Sequence, residues 1–246
     1  MKKLLLALGL FVFGHGLASA QDKSFRFGVQ ASPTWSWMRT NDKKLDGSGT
    51  NLGLKLGLQG EFYFAPNYAF ITGLNFSFNQ GGTIQSSYPM ADLWKDSELS
   101  DPKFHIVGQE AKLHYRLRYV EIPFGLKLRG GSGTDNPLKF YAELPLFTLG
   151  FLTKALGDIR STQDQNTEDE DIRKDVKPLS LSWGVGAGVE YEFAPSATAV
   201  AGFTFQQQFT DVTGNGQVQK TANGDFTTDK SKATIGLVAL RLAIFF

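Results

Sequence analysis

The chain has 246 residues, with 25 basic and 24 acidic side chains, a formal charge of +1, no cysteine, 27 glycines and 21 phenylalanines. A charge so near neutral argues against a nucleic-acid partner, and the missing cysteines exclude disulfides, thiol chemistry and a lipoprotein anchor. Many aromatics beside many glycines favour strands over helices.

At the start, Lys2 and Lys3 precede the apolar run 4–13, and Ala18-Ser19-Ala20 closes the segment. This pattern predicts a secretory signal peptide over 1–20, cleaved to leave a single domain over 21–246 that begins at Gln21. The apolar run is far shorter than the roughly 20 residues of a spanning helix, and no charge-free stretch of that length follows. Without Lys2 and Lys3 the formal charge is 23 minus 24, or −1.

Period-2 alternation then predicts eight strands, at 25–38, 50–64, 68–79, 112–129, 138–152, 179–193, 199–210 and 233–246. In the sixth, Leu179, Leu181, Trp183, Val185, Ala187, Val189, Tyr191 and Phe193 alternate with serine, glycine and glutamate, a pattern no helix tolerates. Connections alternate as well: 65–67, 129–137 and 194–197 are short, whereas 39–49, 80–111, 153–178 and 211–232 are long. Short turns on one rim and long loops on the other are the outer-membrane arrangement, with long loops outside the cell. The expectation is an all-β fold, an eight-stranded antiparallel up-and-down transmembrane β-barrel in the outer membrane.

Alternation alone leaves a soluble lipocalin-like ligand-binding barrel open, and composition decides the sidedness. A soluble barrel carries many charges on its outer face. Here the polar face holds mostly glycine, serine, threonine and amides, suited to a crowded lumen, and Phe25, Trp35, Phe62, Phe70, Tyr191 and Phe193 lie on the other. Aromatics near strand ends match the girdles of membrane barrels. The last strand places Val238, Leu240, Leu242, Ile244 and Phe246 on one face, resembling the C-terminal signature read by the barrel-insertion machinery.

Tyr119-Val120-Glu121-Ile122-Pro123-Phe124-Gly125-Leu126-Lys127 resembles the Y-L-E-I-P-x-x-x-K stretch of the PorT-like outer-membrane β-barrel family of Bacteroidota, with valine in place of the usual leucine. The resemblance implies an eight-stranded transmembrane barrel. The family takes its name from a member linked to protein secretion and gliding.

In this stretch Lys112, His114, Arg116 and Arg118 share parity with Ile122, Phe124, Leu126 and Leu128. A β-bulge near 119–123 is predicted, where proline lacks a ladder donor. It would turn Arg116, Arg118 and Lys127 inward. The predicted lumen set is Arg26, Lys55, Glu61, Arg116, Arg118, Lys127, Glu143, Glu190 and Arg241, joined by Glu121 if the bulge falls after it. Such mixed charges favour a paired network over a pore lining, because an isolated buried charge is very costly.

No catalytic or metal site and no cofactor is predicted. His105 and His114 lack metal-ligand spacing, and no G-x-S-x-G or phosphate loop occurs; His105 near Ser97 and Ser100 is the one loop cluster that keeps an enzyme open. Acidic residues 168–171 lack a calcium-loop spacing. In loop 80–111, Tyr88, Met90 and Trp94 either contact a partner or fold back over the barrel mouth. The partners expected are outer-membrane lipid, the insertion machinery, and an extracellular or secretion-system protein. A structural or interaction role through four long loops leads; a narrow small-solute pore is the alternative.

Overall fold

The computed structural model describes residues 24–130, 137–161 and 165–246. The expected signal segment lies outside these residues. Among them run β1 Phe25–Thr40, β2 Leu45–Ala65, β3 Tyr68–Ser86, β4 Met90–Asp92, β5 Val107–Gly108, β6 Lys112–Gly130, β7 Leu138–Arg160, β8 Thr167–Asp171, β9 Leu179–Ala194, β10 Ala197–Gln208, β11 Gln217–Gln219, β12 Phe226–Thr228 and β13 Ala233–Phe245. The eight long strands β1, β2, β3, β6, β7, β9, β10 and β13 pair antiparallel in chain order, and β13 returns to β1 from Gly28↔Phe245 to Thr40↔Ala233. Closure leaves this ring with no unpaired edge, which is what a spanning sheet requires in hydrocarbon.

Alternation sets the two faces. On β2, Leu52, Leu54, Leu56, Leu58, Phe62 and Phe64 point outward and are exposed, while Asn51, Lys55 and Glu61 point inward and are buried. From Leu52 to Phe64 the chain makes about 12 steps of roughly 3.3 Å, which at a tilt of about 40° spans about 30 Å, the height of a bilayer core. The apolar face is therefore the outer one, and the soluble ligand-cavity reading does not apply.

Several strands run beyond this band. β7 has 23 residues and β2 has 21, more than crossing requires. In the extension polarity inverts: Leu113, Tyr115, Leu117, Tyr119, Ala155 and Ile159 are buried inside, whereas Lys112, Arg118, Lys154 and Arg160 are exposed outside. The medium has changed from lipid to water, so the outer wall turns polar and the lumen becomes an ordinary apolar core.

The bulge expected within 119–123 of β6 is absent; burial alternates unbroken from Leu113 to Pro123. The irregularity sits on both neighbours, where β3 spends an extra residue between Ser77 and Gln80 and β7 one between Leu152 and Lys154. Asn79, at φ 58, and Thr153 are the inserted residues, and each reverses the parity of its own strand.

The long loops fold into structure. β4, β5, β11 and β12 form a separate four-stranded sheet in the order β12-β11-β4-β5, and β8 extends β7. One cluster of buried apolar residues runs from the upper lumen (Met38, Leu45, Ile84, Tyr115, Ile235) into this cap (Ala91, Leu93, Trp94, Phe104, Val107, Val218).

Candidate functional site

The lumen is filled in layers. Nearest the short-turn rim, β1–β2 register sets Arg26 opposite Glu61, and Arg26 Nη2 donates to Glu61 Oε2 at 2.6 Å and to Glu190 Oε1 at 3.1 Å. Lys127 Nζ donates to Glu61 Oε1 at 2.6 Å and also pairs with Glu190. Tyr63 donates to Glu61 at 2.7 Å, and Arg129 donates to Tyr63 at 3.0 Å and lies 3.6 Å from Glu190. The side chains of Lys127, Glu61 and Glu190 have no exposed surface. Charges so deep persist only when paired.

Aromatic rings line the cations. Lys127 Nζ is 4.5 Å from the Tyr141 ring centre, and the Arg26 guanidinium is 5.2 Å from that of Phe245. Tyr141 has room because Gly188 and Gly202 face each other across β9 and β10; a Cβ on Gly188 would come within 2.8 Å of the ring.

The next layer holds Arg241 paired with Glu143, and Lys55 at 2.8 Å from Glu121 and 2.7 Å from Gln206. Gln206 donates to Thr148 at 2.8 Å, and Gln30 to Asn75 at 2.7 Å. Above these, Gln80 donates to Thr34 at 3.1 Å before the apolar core begins.

A cavity of about 390 Å³ opens at the short-turn rim between Arg26, Tyr63, Arg129 and Phe245. Further in, three smaller voids of about 10, 30 and 40 Å³ lie among the lumen side chains, each room for a few waters at most. The lumen thus ends in packed side chains.

Arg26, Lys55, Glu61, Lys127, Glu143, Glu190 and Arg241 all meet inside, with Glu121 among them. Arg116 and Arg118 do not, because without a bulge in β6 their parity is outward and water, not lipid, receives them. Arg116 pairs there with Asp158 at 2.6 Å and with Asp169 at 2.5 Å. Sequence reasoning missed Arg129, Tyr63, Tyr141 and Phe245. Tyr63 and Tyr141 share strand parity with Glu61 and Glu143, which is the signal that finds them.

Over the long-loop rim, Trp94 is buried edge-on against Tyr115, with ring centres 5.5 Å apart, and Tyr88 donates to Asp42 at 2.6 Å. Of the two alternatives for this loop, these two side chains follow the second: they fold back over the barrel mouth into the cap's interior and offer little to a partner. Met90 is exposed. Register places Phe226, Gln219 and Met90 in one row across β12, β11 and β4, while Val218 and Ala91 point down. Below, Asp175 is buried, taking hydrogen bonds from Ser97 Oγ at 2.6 Å and Asp96 N at 3.3 Å; burial lifts its carboxyl above the ordinary range. Burial likewise lifts Asp92, whose partner is His105 at 3.6 Å. No group of three or more metal-ligating side chains occurs among the described residues.

A family model described as outer membrane protein beta-barrel domain matches residues 19–228. The chain belongs to this family. It is an outer-membrane protein. Among solved structures it is similar to a major outer membrane protein from Thermus thermophilus, at 14% identity over 90% of this chain and 99% of that one, TM-score 0.43. Neisserial surface protein A aligns at 12% identity over 89% and 95%, TM-score 0.42. OprG from Pseudomonas aeruginosa aligns at 12% identity over 91% and 97%, TM-score 0.39. No curated protein matches the chain.

Proposed function

We propose that the protein is a sealed, non-enzymatic outer-membrane scaffold that presents a rigid extracellular cap to a protein partner at the cell surface. The observation that carries this reading is the two-sided cap sheet. Its lower face, with Val218, Ala91 and Val107, continues the core of the barrel, while Phe226 and Met90 remain exposed on the upper face around Gln219. Exposed apolar side chains on a fixed surface suit recognition, whereas a channel has no use for a plugged mouth. A secretion-assembly protein, the kind of partner suggested by the name of the family that 119–127 resembles, would engage this same face. Export would depend on the predicted signal peptide over 1–20.

The pore alternative requires a continuous water path, and the paired layers and apolar upper core oppose it. Protein reconstituted in planar bilayers should be electrically silent although fully folded by heat-dependent gel mobility. A photo-crosslinker at position 90 or 226 on intact cells should capture a discrete surface partner, and one at position 91 should not. Steady conductance would replace the scaffold reading with the pore.

A further inference from the structure

We propose that Arg118, Lys154 and Lys177 form a binding site for the phosphate of a lipid headgroup in the outer leaflet. This goes beyond the scaffold reading and does not depend on it. All three residues are exposed. Arg118 is directly opposite Lys154 across β6 and β7. On the far side of β7, Leu152 N donates to Pro178 O at 2.8 Å, which brings Lys177 beside Thr153.

Like charges directly opposite each other across a ladder are destabilising. Among the described residues no carboxylate pairs with any of the three. Arg116, on the next outward level up, holds Asp158 and Asp169, and Arg160, opposite Lys112 near the top of the wall, holds Glu168. Arg118, Lys154 and Lys177 thus lack the carboxylate compensation that Arg116 and Arg160 have.

Arg118 and Lys154 stand at the upper edge of the apolar band. Immediately below are the exposed Phe78, Phe151 and Leu179 and the half-buried Val120, with Val120 opposite Phe151 and Phe151 opposite Leu179. The Arg118 guanidinium stands 6.0 Å from the Phe78 ring centre, its stem against the band and its charge at the headgroup level. The bulge at Thr153 contributes directly, since it turns Lys154 to the outer face beside Thr153, whose Oγ1 donates to Arg118 O at 3.1 Å. A guanidinium fork with two ammonium groups suits a phosphate, and a phosphate fixed to a lipid is delivered at this depth. A soluble acidic protein would have to reach the lipid surface beneath the cap.

The test uses the full chain folded in zwitterionic detergent, titrated with a diphosphorylated glucosamine glycolipid, its dephosphorylated form, or inorganic phosphate. Binding is followed by native mass spectrometry and by the temperature at which heat-dependent gel mobility is lost. Arg118→Gln/Lys154→Gln should fold normally, because it relieves a repulsion, and should bind the phosphorylated glycolipid about 30-fold more weakly than the unmodified chain. Lys220→Gln/Lys230→Gln, the same charge change in an exposed loop, should bind like the unmodified chain. Equal weakening by both pairs would reduce the effect to diffuse charge and overturn the site. So would undiminished binding by the first pair, equal binding of the dephosphorylated lipid, or equal protection by inorganic phosphate alone. Silence or conductance in bilayers bears on the scaffold reading and leaves this result untouched.

Discussion

Lys127 shows how much one lumen residue carries. Its ammonium lies between Glu61 and Glu190 with no exposed surface, and without it the two carboxylates would rest on Arg26, Tyr63 and the more distant Arg129. Replacing it by methionine keeps the volume and leaves two buried anions sharing fewer cations. Lys127→Met should cost about 3–5 kcal/mol, the usual result of breaking a buried pair from one side. Lys139, which pairs with Glu192 at 2.7 Å where both are partly exposed, should lose less than about 1 kcal/mol on the same substitution. Urea titration of both variants in lipid vesicles, read by gel mobility, checks the contrast; equal losses would mean that the lumen network carries no special weight. Arg26, Lys55, Glu61, Glu190 and Arg241 were legible because each lies at the polar parity of its strand, whereas Lys127 was brought inside by a predicted bulge that β6 lacks, and Arg129 and Tyr63 were missed. Arg116 and Arg118 were misjudged because parity was interpreted as though lipid bathed the whole outer wall.

At the level of elements, the cap depends on a close approach between loop and barrel. Trp94 packs over Gly157 of β7, where a Cβ would come within 2.8 Å of its ring at Cζ2. Gly157→Val should expel the indole and loosen the loop while the ring of eight strands stays closed. Protease should then cut within 80–111 at least about tenfold faster, as a local opening made easier by roughly 1.4 kcal/mol would allow, with the mobility shift retained. Acidity should act on the same element through Asp175. Its folded carboxyl is raised by burial, so its contribution is fully present below the unfolded value and is lost as pH rises through the folded one. Glu170 runs the other way: hydrogen bonds from Ser100 and Thr167 outweigh burial and hold it low, and its contribution is lost as pH falls. Asp175→Asn should therefore protect the cap from protease at neutral pH and lose that advantage in acid; an advantage that grew in acid would contradict the assignment. None of the cap strands was legible in the sequence. Strands of two to five residues are too short for periodicity, and their pairing joins segments as distant as β4 and β11.

For the molecule as a whole, the sequence was most informative where the surroundings are simplest. Within the lipid band every strand has one apolar and one crowded polar side, so alternation marks all eight spanning segments. Above it the rule reverses, and β7 from Thr153 to Arg160 has the composition of a charged loop although it continues the barrel. The tryptophans test this division of the wall into a lipid-facing band and a water-facing extension. Trp35 and Trp183 are exposed on the outer face of the band, whereas Trp94 is buried in the cap. Single-tryptophan variants retaining only Trp35 or Trp183 should be quenched strongly by lipids brominated along the acyl chain. The variant retaining only Trp94 should resist them and also resist aqueous iodide. Strong quenching of Trp94 by brominated lipid would place the extension inside the bilayer. The polarity inversion would then lose its physical cause, because Arg118, Lys154 and Arg160 would face hydrocarbon instead of headgroups and water.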